Sequence, residues 1–142
     1  VTQALAKAAL FSSPRILDLC TGSGVIAVTL ALELPAAHIT ATDLSAEALE
    51  LAQRNAATLC PERLIEFRQG DLFEPAQDTF DLVTANAPYL KRAALGDIPP
   101  EVRHDPVLAL DGGPDGLELI RRIIAETPVR LHPGGWLLLE IG

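Results

Sequence analysis

Four short stretches of this 142-residue chain have residue types and spacing suited to ligand chemistry. The first is Asp18-Leu19-Cys20-Thr21-Gly22-Ser23-Gly24, an apolar strand end followed by a turn containing two glycines. Gly22 and Gly24 let backbone N–H groups approach a ligand with no Cβ in the way. A helix opening at Val25 turns its positive end to the same point, which favours an anion such as a carboxylate or phosphate. The second is Asp43-Leu44, the third Gly70-Asp71-Leu72 and the fourth Asn86-Ala87-Pro88-Tyr89.

Two ligands compete for the first stretch. Gly22, Gly24 and Ala27 satisfy the relaxed dinucleotide pattern G-x-G-x-x-A, and Asp43 falls about 20 residues on, where a ribose is held. Asp18 tips the balance, because a carboxylate there repels a pyrophosphate and attracts a cation. S-adenosyl-L-methionine offers an ammonium, a sulfonium, a carboxylate and a ribose. These suit Asp18, the Thr21-Gly22-Ser23-Gly24 backbone and Asp43 together, so a methyl donor is favoured over a dinucleotide. Leu44 is expected to press on the adenine ring. Asp71 can accept from the adenine amino group, with a backbone N–H at Leu72 for a ring nitrogen, although a solvated turn acid accounts for Asp71 almost as well.

Asn86-Ala87-Pro88-Tyr89 follows a buried strand with an amide, a proline and an aromatic ring. This chemistry suits holding a planar amide or amino group: the Asn86 side chain and the Ala87 carbonyl accept its N–H atoms, Pro88 stiffens the loop and Tyr89 covers the flat face. Asn86 also borders the cofactor site.

These residues need elements that bring them to one place. Hydrophobic periodicity predicts helices over Thr2 to Phe11, Val25 to Leu34, Ser45 to Thr58 and Leu117 to Glu126. Strands are expected at Ile16 to Leu19, Ile39 to Thr42, Leu64 to Gln69, Phe80 to Ala85 and, after a Pro133-Gly134-Gly135 turn, Trp136 to Ile141. Strands alternating with helices give an α/β fold, a doubly wound and mostly parallel sheet in the order 3-2-1-4-5. All four stretches then fall at the carboxyl ends of strands, where open sheets bind ligands. Residues 91 to 114 are expected to form an irregular cover over that edge, and His104 within them is given no role.

Composition narrows the partners. A net charge of −8 argues against a surface that grips nucleic acid directly. The 49% apolar share supports one globular domain over 1–142. No apolar run reaches the roughly 18 residues of a membrane helix and no signal pattern opens the chain, so a cytoplasmic protein is expected. Cys20 and Cys60 lack metal-ligand spacing, and no metal is expected. The lack of any methionine suggests a piece of a longer product. A last strand left at a sheet edge invites self-association.

The four stretches, together with Ala109-Leu110-Asp111-Gly112-Gly113-Pro114-Asp115-Gly116-Leu117 and the ending Leu139-Glu140-Ile141-Gly142, resemble the HemK/PrmC family of protein-glutamine methyltransferases. The resemblance implies a Rossmann-like class I S-adenosylmethionine-dependent catalytic domain, truncated after its fifth strand and lacking the family's N-terminal recognition domain. It implies methyl transfer to a glutamine side chain in the Gly-Gly-Gln loop of a peptide-chain release factor, or in a ribosomal protein. Two alternatives stay open, methylation of an exocyclic amino group in DNA or RNA and a non-catalytic fragment that binds the cofactor. The family pattern has two prolines between Asn and Tyr. Here the first is Ala87, and a contact made by its backbone carbonyl survives in a less rigid loop.

Overall fold

The computed structural model describes residues 1–97 and 109–141. His104 and the middle of the expected cover lie outside the described residues. The elements run α1 (Thr2–Ala8), β1 (Arg15–Leu19), α2 (Val25–Glu33), β2 (His38–Asp43), α3 (Ala46–Leu59), β3 (Ile65–Gln69) and β4 (Phe80–Ala85). A 3-10 segment (Arg92–Asp97), α4 (Glu118–Glu126), a 3-10 turn (Thr127–Val129) and β5 (Leu131–Leu139) follow. The five strands form one sheet in the order β3-β2-β1-β4-β5, with every pairing parallel, as the alternation of elements predicts.

The sheet separates two apolar layers. Ile16, Ile39, Ala41, Ile65 and Leu82 face Ala4, Ala27, Leu30 and Ala56 of the first three helices. Leu17, Leu19, Val83 and Ala85 face Ile123 of α4 and Phe73, which plugs the core from the connection between β3 and β4. Register explains the partition: Leu17 lies opposite both Thr40 and Val83, and paired residues share a face. β1 is buried from Ile16 to Leu19 because both faces are covered, so its leucines and isoleucine do not alternate with exposed polar residues, and Asp18 is buried among them. The Ser45 hydroxyl caps α3 by accepting from the Ala48 N–H at 3.2 Å, and Leu49, Ala52 and Ala56 form its buried stripe.

Most boundaries fall within two residues of expectation, and two depart further. α1 stops at Ala8, three residues early, ahead of the Ser12-Ser13-Pro14 break. β5 begins at Leu131, so Pro133-Gly134-Gly135 lies inside the strand as an irregularity in its pairing with β4 and not as a turn before it. Proline has no N–H for the ladder, and Gly134 takes φ +82°, which suits a bulge at an edge strand. The bulge is tied down by His132, whose Nδ1 lies 2.9 Å from Asp81 and whose Nε2 lies 2.6 Å from the Thr79 hydroxyl. Among the described strands β5 pairs with β4 alone. No helix among the described residues is long and apolar enough to cross a membrane.

Candidate functional site

The carboxyl edge of the sheet gathers Gly22 beyond β1, Asp43 at the end of β2, Asp71 beyond β3 and Asn86 beyond β4. Asp43 is the hub. Its Oδ2 accepts from the Gly22 N–H and its Oδ1 from the Ser45 N–H, both at 2.9 Å, while its carbonyl accepts from the Gly70 N–H at 3.0 Å. One residue thus fixes the glycine turn, the start of α3 and the end of β3. Leu44 follows it, half exposed, with its carbonyl held by Gln69.

The two glycines of the turn are needed for different reasons. Gly22 has φ +56° and open space where a Cβ would stand, so the room there is available to a ligand. Gly24 has φ +80°, and a Cβ would come within 2.9 Å of the Ala52 Cβ. Here the absent side chain lets α3 close against the turn. Asn55 of α3 donates to the Ser23 carbonyl at 2.9 Å, a brace that a polar residue on an exposed helix face did not announce in the sequence.

Asp18 requires a correction. It was expected to face a cationic ligand, yet it is fully buried, with Oδ2 accepting from the Thr21 hydroxyl at 2.6 Å and Oδ1 from the Thr84 hydroxyl at 2.7 Å. It therefore stitches the turn to β4 from beneath the site. Burial pushes its pKa up to about 6, against the opposing pull of the two hydroxyls. The protonated form is thus favoured by folding, and its stabilising effect is complete below pH 4 and lost as the pH rises through 6. With the ordinary value at 3.8, Asp18→Asn is expected to gain roughly 3 kcal/mol relative to the parent chain between pH 4 and pH 7. Denaturant midpoints of both proteins across that range measure it; a constant difference rules it out.

Cys20 and Leu72 are the described non-glycine residues with left-handed backbone, at φ 54° and 48°. They stand just beyond β1 and β3, and strain of this kind persists where surrounding structure overrides it, often at functional sites. Burial pushes the Cys20 thiol up to about 12, with the Asp43, Asp18 and Asp71 carboxylates adding to the effect, so it stays neutral and is no nucleophile. Asp71 is ion-paired with Arg122 of α4 at 2.7 Å, a partner 51 residues away that no local pattern signalled.

The fourth stretch is braced by the Ala109–Leu117 run. Leu90 donates to the Leu110 carbonyl at 3.0 Å, and Leu90 in turn accepts from the Gly112 N–H at 2.9 Å. A Cβ on Gly112 would fall 2.8 Å from the Pro88 oxygen and from the Tyr89 Cα. The glycines of the run therefore allow direct backbone contact with the loop. Ala87 and Pro88 are buried by this packing, whereas Asn86 and Tyr89 remain exposed at the rim. A cavity of about 490 Å³ lies at the opposite edge of the sheet, lined by Arg15, His38, Glu66 and Asp78. It touches none of the four stretches.

The family model described as "Methyltransferase small domain" matches residues 2–98. The chain belongs to that family. Its methyltransferase domain is 48% identical over 130 residues to the ribosomal protein uL3 glutamine methyltransferase of Bordetella pertussis, covering 90% of this chain and 43% of that protein. It is 47% identical over 128 residues to the release factor glutamine methyltransferase of Deinococcus radiodurans, covering 90% of this chain and 45% of that one. The chain spans about half the length of the curated relatives it matches. These likenesses bear out the resemblance to HemK/PrmC proteins. A crystal structure of a methyltransferase from Pyrococcus furiosus aligns with a TM-score of 0.69 over 99% of this chain and 62% of its own, at 20% identity. The methyltransferase fold is thus the class I, Rossmann-like one.

Proposed function

We propose that this domain binds S-adenosyl-L-methionine and transfers its methyl group to the side-chain amide nitrogen of a protein glutamine. The observation that carries this reading is the Asn86-Ala87-Pro88-Tyr89 loop, braced at the same sheet edge as Gly22, Asp43 and Asp71. The residues present fit the cofactor. The turn from Thr21 to Gly24 would face its methionine carboxylate, Asp43 its ribose diol, Leu44 its adenine ring, and Asp71 with the Leu72 N–H the adenine edge. When bound, the cofactor supplies an electrophilic methyl group.

An amide nitrogen is a weak nucleophile because its lone pair is delocalised. Asn86 and the Ala87 carbonyl would accept the N–H bonds of the glutamine amide, which orients the nitrogen in line and raises its electron density. The proton can leave after transfer, so no strong base is needed. Tyr89 would shield the amide plane, and water exclusion there favours the dispersal of charge in the transition state.

Both curated relatives carry names of glutamine methyltransferases, one for a release factor and one for ribosomal protein uL3. We take a release factor with a Gly-Gly-Gln loop as the foremost substrate and a ribosomal protein as the second. A net charge of −8 weighs against direct nucleic-acid binding. The test is a transfer assay read by mass spectrometry on a release factor, uL3, DNA and RNA. Methylation of a glutamine supports the reading, while methylation of a base, or cofactor binding without turnover, overturns it.

Asp43→Ala is expected to weaken adenosylhomocysteine binding by about 2 kcal/mol, because a charged acceptor for the diol is lost and the Gly22 N–H is left unpaired. Calorimetry measures it, with NAD as the competing ligand. Unchanged affinity rejects the ribose assignment, and preference for NAD rejects the methyl donor.

A further inference from the structure

Asp71 and Arg122 meet across the site without any local reason to do so. Arg122 has Glu118 and Glu126 one helical turn to either side on α4, the spacing at which ion pairs form within a helix. Its guanidinium instead reaches Asp71 Oδ2 at 2.7 Å, with both side chains about two-fifths exposed. A pair so open to water contributes little to stability. Its value lies in where it holds the carboxylate.

The turn carrying Asp71 is otherwise fixed mainly from within. The Leu72 carbonyl accepts from the buried Thr42 hydroxyl at 3.1 Å, and the Asp71 carbonyl accepts from the Glu74 N–H at 2.9 Å. Those bonds set the backbone, including the left-handed Leu72, but leave the Asp71 side chain to rotate. Arg122 removes that freedom. Among the described residues no hydrogen bond reaches Asp71 Oδ1, which leaves that oxygen for a donor on the ligand. α4 thereby spans the site: the run leading into it braces the Asn86 loop, and its second turn holds the far end.

We infer that Arg122 is a positioning residue for adenine recognition, fixing the Asp71 carboxylate so that its free oxygen accepts from the adenine 6-amino group. This rests on the reading that Asp71 faces the adenine. A 6-oxo base carries lone pairs where adenine carries N–H donors, so a fixed carboxylate selects against it. A carboxylate that swings free selects less.

The experiment compares binding of adenosylhomocysteine and its 6-oxo analogue, inosylhomocysteine, to the parent chain and to Asp71→Ala, Arg122→Ala, Arg122→Lys and the Asp71→Ala/Arg122→Ala double variant, with thermal melts confirming folding. The parent is expected to prefer the amino ligand by about tenfold or more. Asp71→Ala should remove the carboxylate's share of that preference, leaving only what the Leu72 N–H supplies against the ring N–H of the 6-oxo base; Arg122→Ala should cut the preference about threefold or more, and Arg122→Lys should restore part of it. In the Asp71→Ala background, removing Arg122 should change nothing further, since it acts through Asp71. If Asp71→Ala keeps the preference undiminished, the adenine assignment itself fails. If Asp71→Ala lowers it while Arg122→Ala keeps it, or weakens both ligands equally, only the inference about Arg122 is overturned.

Discussion

Asn86→Ala is expected to lower the rate of methyl transfer by about 10²- to 10³-fold while leaving adenosylhomocysteine affinity within about twofold of the parent value. The side chain is exposed at the rim beyond β4, whereas the backbone on either side is fixed: the Ala85 carbonyl accepts from the Glu140 N–H at 3.0 Å, and Ala87 is buried. Removing the amide therefore takes away an acceptor without moving the loop that carries it. The loss falls on orientation and polarisation of the target nitrogen, which matter in the transition state more than in the bound complex. Single-turnover rates with saturating cofactor, beside calorimetry with adenosylhomocysteine, separate the two quantities. A variant that transfers at the parent rate would place the acceptor elsewhere on the edge.

Gly116→Ala should be the most damaging of the glycine substitutions, costing about 2–4 kcal/mol of stability and most of the activity. Gly116 has φ +79°, and a Cβ there would run into the Tyr89 carbonyl oxygen with the Lys91 N–H only 3.4 Å away. Both neighbours are backbone, so neither can turn aside, and the strand-like pairing of Leu90 with Leu110 and Gly112 must shift instead. Gly134→Ala is the matched control. Its φ of +82° imposes the same backbone strain, but nothing lies within 4 Å of the added methyl group, so about 1 kcal/mol is expected. Denaturant unfolding of the two variants isolates the steric part, and the transfer rate reports whether the Asn86 loop moved with it. Equal losses in both would mean that the run does not brace the loop.

The fold was legible because its elements are encoded locally. The largely apolar and buried β1 and β4 mark central strands, Ser45 marks the start of α3, and Gly22 with Gly24 marks the turn between β1 and α2. Parallel topology then places Asp43, Asp71 and Asn86 at one edge with no further information. The sequence misled at β5, since Pro133-Gly134-Gly135 satisfies the local rule for a turn. Only pairing with β4 and the anchor at His132 turn it into a bulge within a strand.

What a side chain at that edge does was decided by tertiary contacts. Asp18 has the residue type of a cation ligand, but the hydroxyls of Thr21 and Thr84 converge on it under a covering layer, and burial makes it an internal clamp. Asp71 reads equally well in the sequence as an adenine acceptor or a solvated turn acid, and only the packed chain sets Arg122 of α4 against it. The Gly112 to Gly116 run reads as a tight turn alone, and its work of bracing Pro88 and Tyr89 exists only where the two backbones touch. Residue type and spacing determine which groups arrive at the sheet edge, because strand period and turn chemistry act over a few residues. Burial, charge pairing and close contact join residues 51 or 66 positions apart, and these depend on the whole packed chain.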